Sequence, residues 1–246
     1  MIMSSTTKRS HNCDAGAPSG PLSNFILHGY RPSFDLSDDE NYLDIVMIIT
    51  RSSKLRQGSM GCIIVQPNVT YVNGEDGKVQ RVVANGDNVD FFGRIIAAAT
   101  NTSLFKLNDS DIHAEINAIG QVAQQSLSGF PTSTTTTTTN STRGATAYIT
   151  MPPCKNCFGA LYASGIVRIV SRKEHSSILQ TTAEKVGIEM VSLTPQQLAD
   201  QKVRVDRLFT FYKNINDDNN KITDDANGNE ISNQQRMKHP RTMEPN

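Results

Sequence analysis

The chain has 246 residues, enough for one domain of ordinary size or for one domain carrying long tails. Its 24 Lys and Arg balance 24 Asp and Glu, which argues against attachment to nucleic acid or to an anionic membrane by bulk charge, while a local basic patch remains open. With 37% hydrophobic residues and a mean hydropathy of −0.39, part of the chain is expected to lie outside the core.

The opening MIMSSTTKRSHN lacks the apolar block of a secretory leader, and no apolar run approaches the roughly 20 residues of a bilayer span. The expectation is a cytoplasmic or nuclear protein, neither secreted nor membrane-bound. Residues 1–36 are rich in Ser, Pro and Gly and read as a disordered tail, with one apolar patch at Phe25-Ile26-Leu27. The domain is read over 37–213. Ser37 and Glu40 fit a capping box, after which Tyr42, Ile45, Val46 and Ile49 recur at helical spacing. GCIIV at 61–65 reads as a central strand. Further strands are read at 81–84 and 94–99, with Asn85-Gly86 as a turn between them. From His113 to about Gln125, Ile116, Ile119 and Ala123 share one helical face. The low-complexity stretch 131–143, with its run Thr134–Thr139, reads as a surface insertion.

Ala145–Thr150 then predicts a strand, and Cys154–Ser164 a short helix stopped by Gly165. Residues 166–170 predict another strand, followed by a helix through Ile178, Leu179, Ala183 and Val186 that ends at Gly187. Residues 188–193 form the last predicted strand. Six apolar side chains among residues 214–246 cannot offset the entropy of ordering that segment, so it reads as a second disordered tail. The pattern predicts a three-layer α/β domain with a mixed sheet and helices on both faces.

Four cysteines, Cys13, Cys62, Cys154 and Cys157, are too few for a disulfide scaffold, and the last two are spaced as a ligand or redox pair. Two short stretches carry the chemistry: His113-Ala114-Glu115 and Pro153-Cys154-Lys155-Asn156-Cys157. H-x-E followed by P-C-x-x-C is the pattern of zinc nucleobase deaminases. One imidazole and two thiolates hold zinc with a fourth position left for water, whose pKa falls towards neutrality. Cysteines three apart at a helix start share one face, where the helix dipole favours thiolates. A carboxylate that does not ligate must then move protons, and Glu115, two residues from His113, is placed to do so. Two readings compete: a thioredoxin-like redox pair at Cys154 and Cys157, or a structural zinc closed by Cys13 or Cys62. His11, His28, His175 and His239 read as solvent-facing or structural.

On these residues the sequence resembles the cytidine and deoxycytidylate deaminase superfamily over about residues 40–193. Arg51-Ser52, Arg56, GCIIV and HAEINAI (113–119) are similar to its deoxycytidylate branch, as is the polar, His-containing loop at 171–176. The resemblance implies a mixed five-stranded sheet and one zinc ion per chain held by His113, Cys154 and Cys157, with Glu115 as proton shuttle. It also implies sugar contact by Asn101, base contact by the Ala114 backbone, and homo-oligomers. Phe158, Leu161 and Tyr162 offer either an oligomer face or packing against the sheet. The substrate implied is a small-molecule nucleotide, dCMP or CMP, with Arg172 and Lys173 meeting its phosphate. Two features depart from that branch: Ala99-Thr100-Asn101-Thr102 replaces Gly-Tyr-Asn-Gly, and only eleven residues separate Asn101 from His113. Short spacing resembles tRNA adenosine deaminases or guanine and cytosine deaminases. For RNA, Lys54, Arg56, Arg168, Arg172 and Lys173 could form a basic surface, although a solvated surface is favoured. A non-catalytic subunit that binds RNA or a partner would be marked by loss of the glutamate, and Glu115 is present.

Overall fold

The Ser37 hydroxyl receives the Glu40 backbone N–H, and the Glu40 carboxylate receives the Ser37 N–H, so the capping box opens helix α1 (Asp38–Arg51) as its sequence predicts. The computed structural model describes residues 20–53, 58–67, 69–73, 79–83, 91–92, 94–105, 110–128 and 141–213. After α1 come β1 (Gly61–Val65), β2 (Val69–Asn73), β3 (Val79–Val83), β4 (Ile95–Thr100) and α2 (Ala114–Ser128). These are followed by β5 (Thr146–Ile149), α3 (Lys155–Ala163), β6 (Arg168–Ser171), α4 (Ser177–Val186) and β7 (Glu189–Ser192). A compact unit ends at Gln201, and the described residues of a second unit, 202–213, are helical.

Five strands form one mixed sheet in the order β4-β1-β5-β6-β7, with β4 and β5 antiparallel to β1 and β5, β6 and β7 parallel. The sixth strand expected from sequence, near 81–84, leaves this sheet: β3 pairs only with β2, in a two-stranded hairpin between β1 and β4. The Asn85-Gly86 turn and the Thr-rich stretch 131–140 lie outside the described residues, as do Lys54, Arg56 and Cys13.

Alternation along the strands sorts side chains to two faces. Cys62 and Ile64 of β1, with Ala147 and Ile149 of β5 and Ile169 of β6, enter a core closed by α2, α3 and α4 through Ala118, Val122, Phe158, Leu161, Leu179 and Ala183. Tyr148, between two of those residues, turns to the opposite face and meets Tyr42 of α1 at 4.9 Å between ring centroids. The result is a helix–sheet–helix α/β sandwich. Phe158 and Leu161 are therefore core residues, while Tyr162 of α3 is half exposed.

Gly61 is required by a close approach. A Cβ there would lie 2.5 Å from Thr50 Oγ1 and 2.9 Å from the Val46 carbonyl oxygen. Its N–H donates to Thr150 Oγ1 at 2.9 Å, and Thr150 pairs with Thr50 at 2.8 Å. Those bonds fasten α1 to the strand ends beside the cysteine pair. At the other end of α1, Asp39 takes two 2.7 Å bonds from the Arg168 guanidinium and one of 2.9 Å from the Tyr148 hydroxyl. Glu189 also pairs with Arg168, at 3.1 Å, so this arginine is a strut of the fold and not part of a basic surface.

Two boundaries differ from the sequence reading. The domain does not begin at residue 37: Gly20–Leu22 forms a 3-10 turn against β4, Leu22 and Leu27 are buried, and the Tyr30 hydroxyl donates to Asn41 Oδ1 at 3.0 Å. A few apolar residues in Ser- and Pro-rich sequence suffice because Gly20–Leu22 lies against β4 of the sheet. Residues 195–201 are helical beyond the last predicted strand, and Thr194 and Gln197 cap that helix by reciprocal side-chain bonds at 3.3 and 3.0 Å, ahead of Pro195. Among the described residues, no helix is long and apolar enough to cross a membrane.

Candidate metal centre

Because β4 and β5 both run antiparallel to β1, their carboxyl ends share one sheet edge, which parallel β6 also reaches. β4 delivers Asn101 to that edge, β5 delivers Cys154, and β6 delivers the loop 171–175. Cys154 is the N-cap of α3, its backbone extended at φ −69 and ψ 168, and its sulfur accepts the Cys157 N–H at 3.4 Å. His113 immediately precedes α2 and accepts the Asn117 N–H at 3.1 Å. Two helix starts thus bring the three candidate ligands together.

His113 Nδ1 lies 3.3 Å from Cys157 Sγ and 3.8 Å from Cys154 Sγ, and the three ligand atoms all lie within 4.8 Å of one another. Tetrahedral zinc with bonds of about 2.3 Å to sulfur and 2.05 Å to nitrogen sets its ligand atoms about 3.6 Å apart for N and S. The two observed distances bracket that value, so the donor set fits zinc. Cys62 is buried and free but does not belong to the group, and Cys13 lies outside the described residues. Among the described residues no fourth sulfur joins the group. An imidazole at both sulfurs is also more than a dithiol redox pair needs.

Burial pushes the Cys157 thiol well above its ordinary value, and Glu115 and Cys154 push it the same way. Burial likewise raises Cys62, with Glu115 and Cys157 adding to the effect. A divalent cation reverses this balance and lets buried sulfurs ligate as thiolates. Glu115 stands in the first turn of α2, is 4% exposed, and its Oε2 has no hydrogen-bond partner among the described residues. A buried polar atom without a partner is costly to maintain, and here it sits beside the thiols.

The remaining site candidates divide. Ala114 is the first residue of α2, where backbone N–H groups have no intrahelical acceptor. Asn101 is 2% exposed: its amide nitrogen donates to the Gly58 carbonyl at 2.9 Å and to Ser110 Oγ at 2.8 Å, and its oxygen accepts the Met60 N–H at 2.9 Å. One acceptor lone pair is left. Arg172 turns its Nε to Gln201, and burial lowers its pKa, with Arg51 adding to the effect. Lys173 is exposed in the loop after β6. His175 is structural as expected, its Nε2 2.8 Å from the buried Ser171 hydroxyl, which donates to the Lys173 carbonyl. The Gly58, Ser110 and Ser171 contacts were not legible in sequence, because no periodicity or motif marks them.

The model of the family described as "Cytidine and deoxycytidylate deaminase zinc-binding region" matches residues 36–173. Among solved structures, a dCMP deaminase from the cyanophage S-TIM5, in complex with dCMP and dUMP, is 17% identical, with 66% of this chain and 100% of that one covered and a TM-score of 0.43. A guanine deaminase from Nitrosomonas europaea is 18% identical, with 82% of this chain and 98% of that one covered and a TM-score of 0.41. No curated protein matches the chain.

Proposed function

Because the chain belongs to the cytidine and deoxycytidylate deaminase zinc-binding family, we propose that it is a hydrolase removing the exocyclic amine of a cytosine nucleotide, dCMP or CMP, to give the uracil product and ammonia. The observation that carries the reading is the His113, Cys154 and Cys157 group with the buried Glu115 carboxylate beside it, its Oε2 without a partner among the described residues. Zinc held by those three side chains supplies the Lewis acidity that makes water a nucleophile near neutral pH.

The chain's own residues do the rest. Glu115 takes a proton from the attacking water and gives it to the ring nitrogen, then transfers the second proton to the departing amine, so that ammonia leaves and the base keeps the oxygen. Its burial keeps bulk water from competing for those protons. The Ala114 backbone holds the base at the start of α2. Asn101, tied to Gly58, Met60 and Ser110, presents its last lone pair to a sugar hydroxyl and reaches it without reorganisation. Lys173 meets the phosphate, and Arg172, fastened to Gln201, braces the loop beside it. Homo-oligomers are part of this reading.

One observation favours a second reading, deamination of adenosine in tRNA or of a free base, guanine or cytosine: the short spacing of eleven residues between Asn101 and His113. Ammonia release by zinc-loaded protein from dCMP, CMP, cytidine, cytosine, guanine and tRNA decides between the two. Release from dCMP or CMP, with guanine and tRNA inert, is expected. Activity on guanine, cytosine or tRNA alone would replace the first reading with the second, and zinc-loaded protein inert on the whole panel would point to a non-catalytic subunit.

A further inference from the structure

Past β4, Leu104, Phe105 and Asp111 are not used by the chemistry above. Leu104 is 61% exposed and Phe105 is 85% exposed, an apolar pair standing in water. Yet the backbone beneath them is fixed. Asp111 Oδ2 accepts the N–H of Leu104 at 2.7 Å and that of Phe105 at 2.9 Å. Thr102 and Ile112 exchange backbone bonds of 3.0 and 3.1 Å. Asn117 of α2 ties the Thr100 carbonyl at 2.9 Å and the Thr102 hydroxyl at 3.2 Å. Asp111 lies two residues before His113, a span of at most about 7 Å.

An exposed aromatic ring on a mobile loop would be unremarkable. A ring whose backbone N–H is held by Asp111, next to flanks joined by the Thr102–Ile112 and Asn117 bonds and at the strand edge that carries the candidate ligands, is organised before anything binds, so contact with it costs little ordering entropy. We propose that Phe105 is a binding residue whose ring stacks on the face of the substrate's planar heteroaromatic base, with Asp111 as the positioning residue that holds it there. The inference rests on the nucleobase deaminase reading and deepens it by naming what recognises the base face. Phe105 does not touch the reacting protons and is not a catalytic residue.

The chain contains no tryptophan, so Phe105→Trp introduces a single emitting ring. In the zinc-loaded full chain, dUMP, which lacks the reactive amine, should quench F105W emission saturably. F34W, which replaces the 96% exposed Phe34 ahead of α1, serves as the control and should not respond. Phe105→Ala should keep its zinc and raise KM for dCMP by about 5- to 100-fold with a smaller change in kcat, and F105W should restore KM. Asp111→Asn should raise KM in the same sense.

A wild-type protein that deaminates dCMP while dUMP leaves F105W emission unmoved would overturn the assignment. So would F105A with unchanged KM and a shifted molecular mass, which would make the ring a contact between copies of the chain. If dCMP is not deaminated, the cytosine reading falls first. F105W emission titrated with guanine then decides the role of Phe105 separately, and absence of quenching there overturns it too.

Discussion

Replacing Glu115 by glutamine should separate three properties that ordinarily fail together: metal content, stability and turnover. The side chain is 4% exposed, and its Oε2 has no hydrogen-bond partner among the described residues, so exchanging that oxygen for an amide breaks none of the bonds described above. It also removes a negative charge from beside Cys157, whose thiol that charge disfavours as thiolate. A buried polar group left unsatisfied costs about 1–3 kcal/mol, more if charged, so Glu115→Gln should unfold at the same urea concentration as the wild type or a higher one. Zinc should stay near one per chain, since the ligand group is His113, Cys154 and Cys157. Turnover should fall by at least about 10²-fold, or about 2.7 kcal/mol of barrier, because an amide cannot carry protons. The assay pairs metal analysis and urea unfolding with ammonia release on one preparation. Loss of zinc with activity would make Glu115 a ligand. Activity within tenfold of wild type would remove it from proton transfer altogether.

Cys157→Ala should lose most of its zinc by metal analysis, and a fully loaded variant would dissolve the ligand assignment. Gly61→Ala drives a methyl to within 2.5 Å of Thr50 Oγ1 and 2.9 Å of the Val46 oxygen; overpacking and a disturbed threonine pair should cost about 2–4 kcal/mol in urea unfolding. Asp39 titrates with a sign that can be checked: burial alone would raise its carboxyl, but the Arg168 hydrogen bonds and charge, with the Tyr148 hydroxyl, hold it below its ordinary value. Its contribution is therefore complete above the unfolded carboxylate pKa of about 3.9 and fades as pH falls through the lower folded value. Asp39→Asn should be less stable than wild type by about 1–3 kcal/mol at pH 7, with the gap closing below pH ~4; a gap independent of pH would place the cost in packing.

What could be read from the sequence followed from local rules. The Ser37 and Glu40 box, the apolar run GCIIV and the glycine stop at Gly187, with its φ of +75, each act within a few residues and were found. His113 with Cys154 and Cys157 was found although the first two are 41 positions apart, because metal ligation restricts residue type and spacing together. Where Arg168, Arg172 and Asn101 would spend their hydrogen bonds was not legible. Their partners, Asp39, Gln201 and the Gly58 carbonyl, come from segments that meet only once the sheet has formed. Strand β2 was not expected at all, and the pairing of β3 escaped for a related reason: strand periodicity tells that a segment is extended and not which neighbour it joins.

The turn Gly20–Leu22 against β4 has a consequence for solubility. β4 is an outermost strand, and such a strand offers unpaired backbone groups to any other chain that can lie beside it. Leu22, only 1% exposed, belongs to the segment lying against that strand, so residues that read as part of a disordered tail blunt a self-adhesive border. A chain trimmed to begin at residue 37 would keep all three candidate metal ligands, yet it would bare that border and clump as its concentration rises.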